Sequence, residues 1–502
     1  MRIGKQKKIN MMLFVVFLLV FLLAFVYRRC VLRVLPDIAV VDTRWRAWVF
    51  GDVALLAEHL GDLNEWFLQL HEDFGSKPFQ LVLPGTTVLS IAPCAEVAKH
   101  ILKDKVDGVY AKDPYQTSMY RELLGHGIFA SDGERWRRQR RVAVSMLSKR
   151  ALSSTMAATF NAHARHLVRD LLGHHGAVVD LQQHIFRCTG NAFFEVAFGR
   201  NIVGVLPRAL QAFDRLSQHL FERYTRPLWR LDRLLRWSRA ERTIARDAAT
   251  LNLVAYSVVR YERSNGGDAS TSILRRYLRA DPSMSDTELR DVVLNFVLAG
   301  RDTTAALVTW TLYRLMRHAD VREACVREAR DVRGDPGYDD RLPYLHAVLL
   351  EVLRLHPPIP NDVKYATADD VLPDGTAVPK GTAVAYRPYV FGRHSRLWDR
   401  ALEFDPSRWL HGLRTLPLQY RFLAFNAGPR RCVGEQMALL EAKILLVHVL
   451  RSLALGPASV TSVAGVEAVR EPAWKPGAVL LMRDGLPYRV QAATSEYIDM
   501  QN

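Results

Sequence analysis

The longest unbroken apolar run of the chain covers residues 11–27 (MMLFVVFLLVFLLAFVY), with Lys5, Lys7 and Lys8 before it and Arg28, Arg29 and Arg33 after it. A helix of that length just spans the hydrocarbon of a bilayer. A cleaved signal peptide would have a shorter apolar core ending in small residues, and Phe25-Val-Tyr-Arg-Arg29 stands there instead. The pattern predicts a membrane anchor and linker over residues 1–35, with the helix at about 11–27, ahead of one large domain over 36–502. Positive charge on both flanks leaves the anchor's orientation open.

Beyond the anchor, residues 52–75 place apolar side chains at helical spacing, and 79–91 alternate as a hairpin turning at Pro84-Gly85. Helical spacing resumes over 96–105 and, with mixed polarity, from 151 to about 279. Asp286–Arg317 reads as one long helix and residues 346–355 as a shorter one. Helical periods dominate and strands are short. The fold class expected is mainly α with small β-sheets (α+β).

Composition narrows this picture in three ways. A chain of 502 residues would by prior hold two or more domains, yet no Gly/Ser-rich or Pro-rich linker and no repeat divides it. Hydrophobic content of 49% supports a large core and excludes a disordered chain. The net charge of +16 is scattered along the chain, which suits an anionic membrane surface or an acidic protein partner. No nucleic-acid motif accompanies it, so nucleic acid is not an expected partner. Cys30, Cys94, Cys188, Cys325 and Cys432 are widely spaced, which points to a reducing compartment rather than a disulfide framework.

The chemistry concentrates at Cys432, in Phe425-Asn-Ala-Gly428-Pro-Arg430-Arg431-Cys432-Val-Gly434, with a helical pattern over 435–450 directly behind it. Unpaired N–H groups at a helix start favour a thiolate there. The glycines allow backbone to approach a flat ligand, and Arg430 and Arg431 can meet carboxylates or offset the anion. Upstream, Ser131 and Glu134 have the spacing of a capping box, which puts Trp136 and Arg140 on one helical face. His163, His166, His174 and His175 lack neighbours of metal-ligand spacing and read as a helix surface. Gly300, in Asn295-Phe-Val-Leu-Ala299-Gly300-Arg301-Asp302-Thr303-Thr304, costs about 1 kcal/mol against alanine in mid-helix. Close approach of a flat macrocycle would give it a purpose. Glu351 and Arg354 form an i, i+3 pair, and Asp405-Pro406-Ser-Arg408-Trp409 follows downstream.

Phe425, Gly428, Arg430, Cys432 and Gly434 coincide with the cysteine-ligand loop of the cytochrome P-450 family, and the segments around Trp136, Asp302 and Glu351 follow its order. The chain resembles that family from about residue 79 onward. The resemblance implies the cytochrome P-450 fold behind an N-terminal transmembrane helix. It also implies haem b bound through Cys432, with electrons from NADPH arriving by way of a separate flavoprotein reductase and cytochrome b5 as a further partner. Trp136, Arg140 and, by its spacing from Arg354, Lys364 would meet the haem propionates. Asp302 and Thr303 would be the acid–alcohol pair that delivers protons. Glu351, Arg354 and Arg408 would be a structural triad pinning the loop before the cysteine. Arg135, Arg137, Arg138 and Arg141 would form the reductase dock.

Residues 371–381, 391–398 and 421–428 look particularly like plant and fungal fatty-acid ω-hydroxylases. The expected reaction is therefore insertion of one oxygen atom from O2 into a C–H bond of a long-chain fatty acid. A sterol or xenobiotic substrate and, in another class, a non-catalytic haem sensor or carrier are the alternatives. Leu298, Ala299, the stretches 358–363 and 478–480 are candidate pocket walls, and 206–263 would cover the pocket and touch the membrane. The endoplasmic reticulum, with the catalytic domain in the cytosol, is the implied location. The linker has Pro36 but no proline-rich hinge, a departure from the family pattern.

Overall fold

The computed structural model describes residues 32–41, 51–106, 108–147, 149–198, 206–264, 272–338, 342–410, 418–455 and 471–493. The anchor helix expected over 11–27 lies outside them. A six-stranded sheet is assembled from distant parts of the chain. Its strands are β1 (Ala39–Val40), β2 (Phe79–Leu83), β3 (Thr86–Ser90) and β4 (Tyr110–Lys112), then, past β5 (Val178–Asp180), which pairs with Pro487–Arg489 in a separate sheet, β6 (Asp362–Ala366). The short strands β7 (Asp370–Val371) and β8 (Ala377–Val378) pair with each other before β9 (Ala383–Tyr386) returns to the main sheet. The spatial order is β1-β2-β3-β9-β6-β4, with β3 and β9 parallel and β9, β6 and β4 antiparallel. The expected hairpin is β2–β3, and its turn holds Gly85 at φ +83°, a backbone region that favours glycine.

The helical predictions divide in their outcome. The helix expected over 52–75 is two helices, α1 (Val53–Glu58) and α2 (Leu63–Asp73). Gly61 and Asp62 lie in the break, where turn-favouring residues outcompete helix propagation. Asp52 fixes the first piece to the sheet, its carboxylate accepting the Val82 N–H at 2.6 Å. Helix α3 (Ala95–Lys99) widens into a π turn over His100–Asp104. Next come α4 (Pro114–Met119), α5 (Arg121–Leu124), α6 (Gly133–Met146), α7 (Ala157–Leu172) and α8 (Leu181–Phe198). A long antiparallel pair, α9 (Leu206–Glu222) and α11 (Arg239–Ser264), is joined through α10 (Trp229–Leu235).

Helix α13 (Asp286–Arg317), preceded by the short α12 (Ile273–Ala280), has the bounds the hydrophobic pattern predicts. Ser285 Oγ accepts the Glu288 N–H at 3.2 Å while Glu288 accepts the Ser285 N–H at 3.0 Å, a reciprocal cap that fixes its start. Among the described residues it is the one helix long and apolar enough to cross a membrane, and 78% of its most apolar window is buried. It is the core helix of the fold. Helices α14 (Ala319–Asp331), α15 (Pro343–Leu355), α16 (Pro388–Arg393) and α17 (Glu435–Ser452) complete the helical layer. The helices enclose one hydrophobic cluster and the sheet side encloses a second. Phe422, in the segment leading to Cys432, packs against both. The cysteine loop is therefore held at the seam between the two cores.

Candidate active site

The cysteine loop is shaped by three backbone constraints. Asn426 and Gly428 take φ +59° and +61°, and a Cβ on Gly428 would meet the Leu102 carbonyl oxygen at 2.0 Å. The Cys432 N–H donates to the Phe425 carbonyl at 2.8 Å, which closes the loop just before α17 begins. Asn426 Nδ2 donates to Asp362 at 3.2 Å and to the Tyr386 hydroxyl at 3.0 Å, and Tyr386 in turn donates to Asp362. This ties the loop to β6 and β9. Sequence reasoning missed that tie; the available signal was an asparagine, the non-glycine residue that best tolerates a left-handed backbone.

Cys432 is exposed, whereas Cys188 and Cys325 are buried. Its surface is reached from one side while protein packs on the others, and that burial pushes the thiol up, against the Gly434 N–H, Arg140 and Arg431. Arg431 is bound to Glu435 at 2.6 Å, so it does not serve an inward carboxylate.

Beside the loop lies a basic cluster. The Arg430 guanidinium stacks on Trp136 at 3.8 Å and donates to the Ser131 carbonyl at 3.0 Å and to Asp132. Arg140 lies 5.5 Å from the same ring, as the i, i+4 spacing predicts. Lys364 of β6 is buried and faces Lys112 of β4 in register. Burial, together with Lys112 and Arg430, lowers its ammonium to about 7 against the pull of Asp362 and Asp132. Burial pushes the Asp362 carboxyl up, and Lys112 and Lys364 more than offset that. Lys112, Arg140 and Arg430, with a Lys364 about half protonated at neutral pH, thus outnumber two carboxylates.

The capping box expected at Ser131 and Glu134 is absent. Helix α6 starts one residue later, with Asp132 as its uncapped N-terminal residue. The Ser131 hydroxyl donates instead to the His126 and Gly127 carbonyls at 2.6 and 2.9 Å. Of the proposed docking arginines, Arg138 is taken by Asp281 at 2.6 Å and Glu288 at 2.8 Å. Arg135, Arg137 and Arg141 remain exposed.

On α13 two faces must be told apart. Ala299 and Thr303 are half-buried and share a face, with the Thr303 hydroxyl donating to the Ala299 carbonyl at 2.7 Å. Gly300 faces elsewhere: a Cβ there would lie 2.1 Å from the Phe193 ring of α8. Its expected purpose, approach of a macrocycle, is overturned, since the small residue admits the aromatic ring of a neighbouring helix. Gly300→Ala is expected to cost about 1–3 kcal/mol by overpacking, and that cost should vanish in a Phe193→Ala background. Denaturant midpoints of the two single variants and the double variant check this. An apolar cavity lined by Phe194, Phe213, Val254, Val258, Val293 and Val297 lies on this α8 side, because Val297 and Ala299 are two positions apart on α13 and point opposite ways. It is not the site near Cys432.

Asp302 is buried beside Arg301, whose Nε lies 3.2 Å away. Burial raises the carboxyl to about 6, with Arg301 pulling it down and Asp214 pushing it up. Arg301 is itself held by Asp214 of α9 at 2.7 Å and stacks on Phe186 and Phe213. Glu441 of α17 is also buried, and burial raises its carboxyl well above the usual range; no local pattern in the chain singles it out.

The Glu351–Arg354 pair is fully buried, with contacts of 2.8 and 2.7 Å. Glu351 also accepts from Arg408 Nε at 3.0 Å, Trp409 Nε1 at 2.8 Å and the Asp405 N–H at 2.9 Å. Arg354 donates onward to the carbonyls of Gly392, Ala401 and Glu403. All three expected members come together, and Trp409 joins them. The candidate pocket walls also converge in part: the Leu480 N–H donates to the Pro358 carbonyl, and Trp310 of α13 donates to the Leu480 carbonyl, both at 2.9 Å. His163 pairs with Glu195 at 2.9 Å, His166, His174 and His175 are exposed, and no metal-binding cluster occurs among the described residues.

A flat macrocycle bearing two carboxylates fits this arrangement. The accessible sulfur offers a donor, the surplus of cations answers two propionates, and Gly434, whose Cβ would lie 3.8 Å from the Cys432 sulfur, keeps a side chain off that face, whereas Gly428 admits the Leu102 carbonyl.

A family model described as Cytochrome P450 matches residues 43–465. Cytochrome P450 704B1 of Arabidopsis thaliana is 31% identical over 450 residues, which cover 78% of this chain and 85% of that protein. Cytochrome P450 704C1 of Pinus taeda is 32% identical over 419 residues, 75% of this chain and 80% of that one. Cytochrome P450 94C1 of Arabidopsis thaliana is 30% identical over 454 residues, 86% and 89%. Among solved structures, that of the cytochrome P450DA heme domain matches with a TM-score of 0.78 at 26% identity, covering 93% of this chain and 100% of that one.

Proposed function

The chain belongs to the cytochrome P450 family, and on that premise we propose that it hydroxylates a long-chain fatty acid. It is a haem monooxygenase that draws electrons from a redox partner and inserts one atom of O2 into a lipophilic substrate. Two electrons and two protons enter, the C–H bond becomes C–OH, and the second oxygen leaves as water. The fatty-acid assignment is supported by the ω-hydroxylase-like passages at 371–381, 391–398 and 421–428 and by the apolar pocket residues Leu298, Ala299, Val479 and Leu480.

In this reading Cys432 would be the protein's ligand to the haem iron, and Arg140, Arg430, Trp136 and Lys364 would hold the propionates. When bound, the haem supplies oxygen activation, favoured by a thiolate donor. The residues of the chain position and protonate. Asp302, at about 6, is protonated in roughly one molecule in ten at pH 7, which suits a group that takes up and releases a proton. The Thr303 hydroxyl, which donates to the Ala299 carbonyl, is the proposed group that would present a proton to the pocket. Thr303→Ala should therefore raise hydrogen peroxide release per NADPH consumed at the expense of product. Unchanged coupling would remove Thr303 from the relay.

The partner proposed is a flavoprotein NADPH reductase, with cytochrome b5 as a second donor, docking on Arg135, Arg137 and Arg141. Residues 11–27 are proposed to anchor the protein in the endoplasmic reticulum. Exposed Leu228, Leu231, Leu234, Leu235 and Trp237 on and beside α10 support a second membrane contact. The decisive experiment is an optical titration of the purified protein with fatty acids, sterols and small aromatics. Substrate entry shifts the haem from low to high spin. A saturable shift with long-chain fatty acids alone is expected; silence there with a shift on sterols or aromatics overturns the fatty-acid assignment.

A further inference from the structure

Arg387 follows β9 directly, in extended backbone at φ −123°, and it is buried at 4% exposure. Its guanidinium lies 3.7 Å from the Phe67 ring of α2 and donates from Nη1 to the Ser90 hydroxyl at 2.7 Å. Nε has no partner, and among the described residues no carboxylate pairs with the group or offsets its burial. Burial alone pulls the guanidinium down to about 9, so it stays a cation at neutral pH. The Ser90 hydroxyl also meets His71 Nε2 at 3.0 Å. That imidazole brings no charge of its own, because burial, with Arg387 and His394 adding to it, pushes it down to about 2. Glu65 of α2 is committed elsewhere, accepting from Tyr389 and Trp474, both at 2.9 Å. A buried charge is costly unless an opposite charge answers it, and here the described chain supplies none.

The strand register joins this cation to the site near Cys432. Tyr386 stands opposite Asp362 and Ala385 opposite Val363, so one further step along both strands sets Arg387 opposite Asn361. Side chains alternate across a strand. Asp362 and Tyr386 turn to Asn426 of the cysteine loop, while Asn361 and Arg387 turn to the other face and meet α2. There Asn361 Nδ2 donates to Asn64 at 2.8 Å, one turn before Phe67. Asn361 and Val363 belong to the candidate pocket wall 358–363 and are half-buried, with Ile359 exposed beside them. The Asn361 Oδ1 is buried without a partner; turning both amides over keeps the Asn361–Asn64 bond and presents an NH2 group in its place. A cation on an aromatic floor, with an unpaired N–H and an amide across from it, is complementary to a carboxylate. We propose that Arg387, with Asn361 opposite it, anchors the carboxylate of the amphiphilic acid substrate. This rests on the fatty-acid reading above and adds the residue that recognises the acid head.

The test uses the full haem-loaded chain in a detergent of neutral headgroup, titrated by spin-state shift with palmitic acid and with its methyl ester. In the wild type the acid should bind about tenfold or more tightly than the ester; equal affinities overturn the anchor. R387Q should weaken acid binding about tenfold to a hundredfold, the scale of one lost charge-assisted contact, and leave ester binding within about twofold. S90D keeps the arginine but gives it an internal carboxylate, and it should lose acid binding on the same scale. The denaturant midpoint of R387Q without lipid should not fall, because an unanswered buried charge has been removed. A merely structural arginine would lower that midpoint and weaken acid and ester alike. Wild-type acid affinity in either variant, or equal loss for acid and ester, overturns the anchor while leaving the fatty-acid reading intact. Absence of any shift with either lipid in the wild type overturns both. Faster transfer of haem from R387Q to apomyoglobin, with the preference for acid over ester unchanged, assigns Arg387 to a haem propionate, and the proposal fails.

Discussion

Cys432→Ala should give a folded protein whose ferrous carbon monoxide complex no longer shows a thiolate-ligated haem, and whose hydroxylation falls to background. The two parts of this expectation have separate causes. Folding should survive, because Cys432 is exposed and its structural contribution is one backbone N–H donated to Phe425, which alanine keeps. Ligation should not survive, because no other cysteine among the described residues can replace it. Cys188 and Cys325 are buried, with burial raising both thiols, and Cys94 is bound to Glu96 at 3.0 Å. Losing the thiolate removes the electron donation that favours O–O cleavage. An unchanged carbon monoxide spectrum would show that the axial ligand lies elsewhere.

Glu351→Gln is expected to cost about 3–5 kcal/mol, the usual penalty for breaking a buried ion pair from one side. The substitution preserves shape, so the loss is electrostatic. Arg354 would remain fully buried with its charge uncompensated, and Arg408 would lose its carboxylate. Typical stabilities are about 5–15 kcal/mol, so a loss of this size should show as a lower denaturant midpoint and a smaller yield of haem-loaded protein. Arg408→Ala should cost less, because that side chain is partly exposed and Arg354 would still pair with Glu351. A Glu351→Gln variant that unfolds at the wild-type midpoint would sink the stabilising role of the triad.

Which parts of this molecule could be read from its sequence follows from how local their causes are. Helix α13 was legible because its apolar period runs unbroken from Asp286 to Arg317; its Ser285 cap emerged only with the structure. The Glu351–Arg354 contact was legible because i, i+3 residues meet on any helix. Gly300 marks the limit. A mid-helix glycine says that something comes close, and only tertiary structure says that it is Phe193. Ser131 was misread because a hydroxyl beside a helix start can cap it or turn back, and two inward carbonyls took it. The Asn426–Tyr386–Asp362 tie joins three segments that no short-range pattern connects.

The order of strands in the main sheet has a consequence for biosynthesis. The β2–β3 hairpin leaves the ribosome early, but the parallel partner of β3 lies far downstream: Val88 pairs with Ala383, 295 residues later. At roughly 5–20 residues per second, the outer edge of β3 waits about 15–60 s for β9. Throughout that interval Thr86–Ser90 presents unpaired backbone groups and the apolar Val88 and Leu89, the features by which nascent strands aggregate. The hairpin is therefore where cotranslational chaperones should be recruited, and where slowed elongation in the second half of the message should most reduce soluble yield.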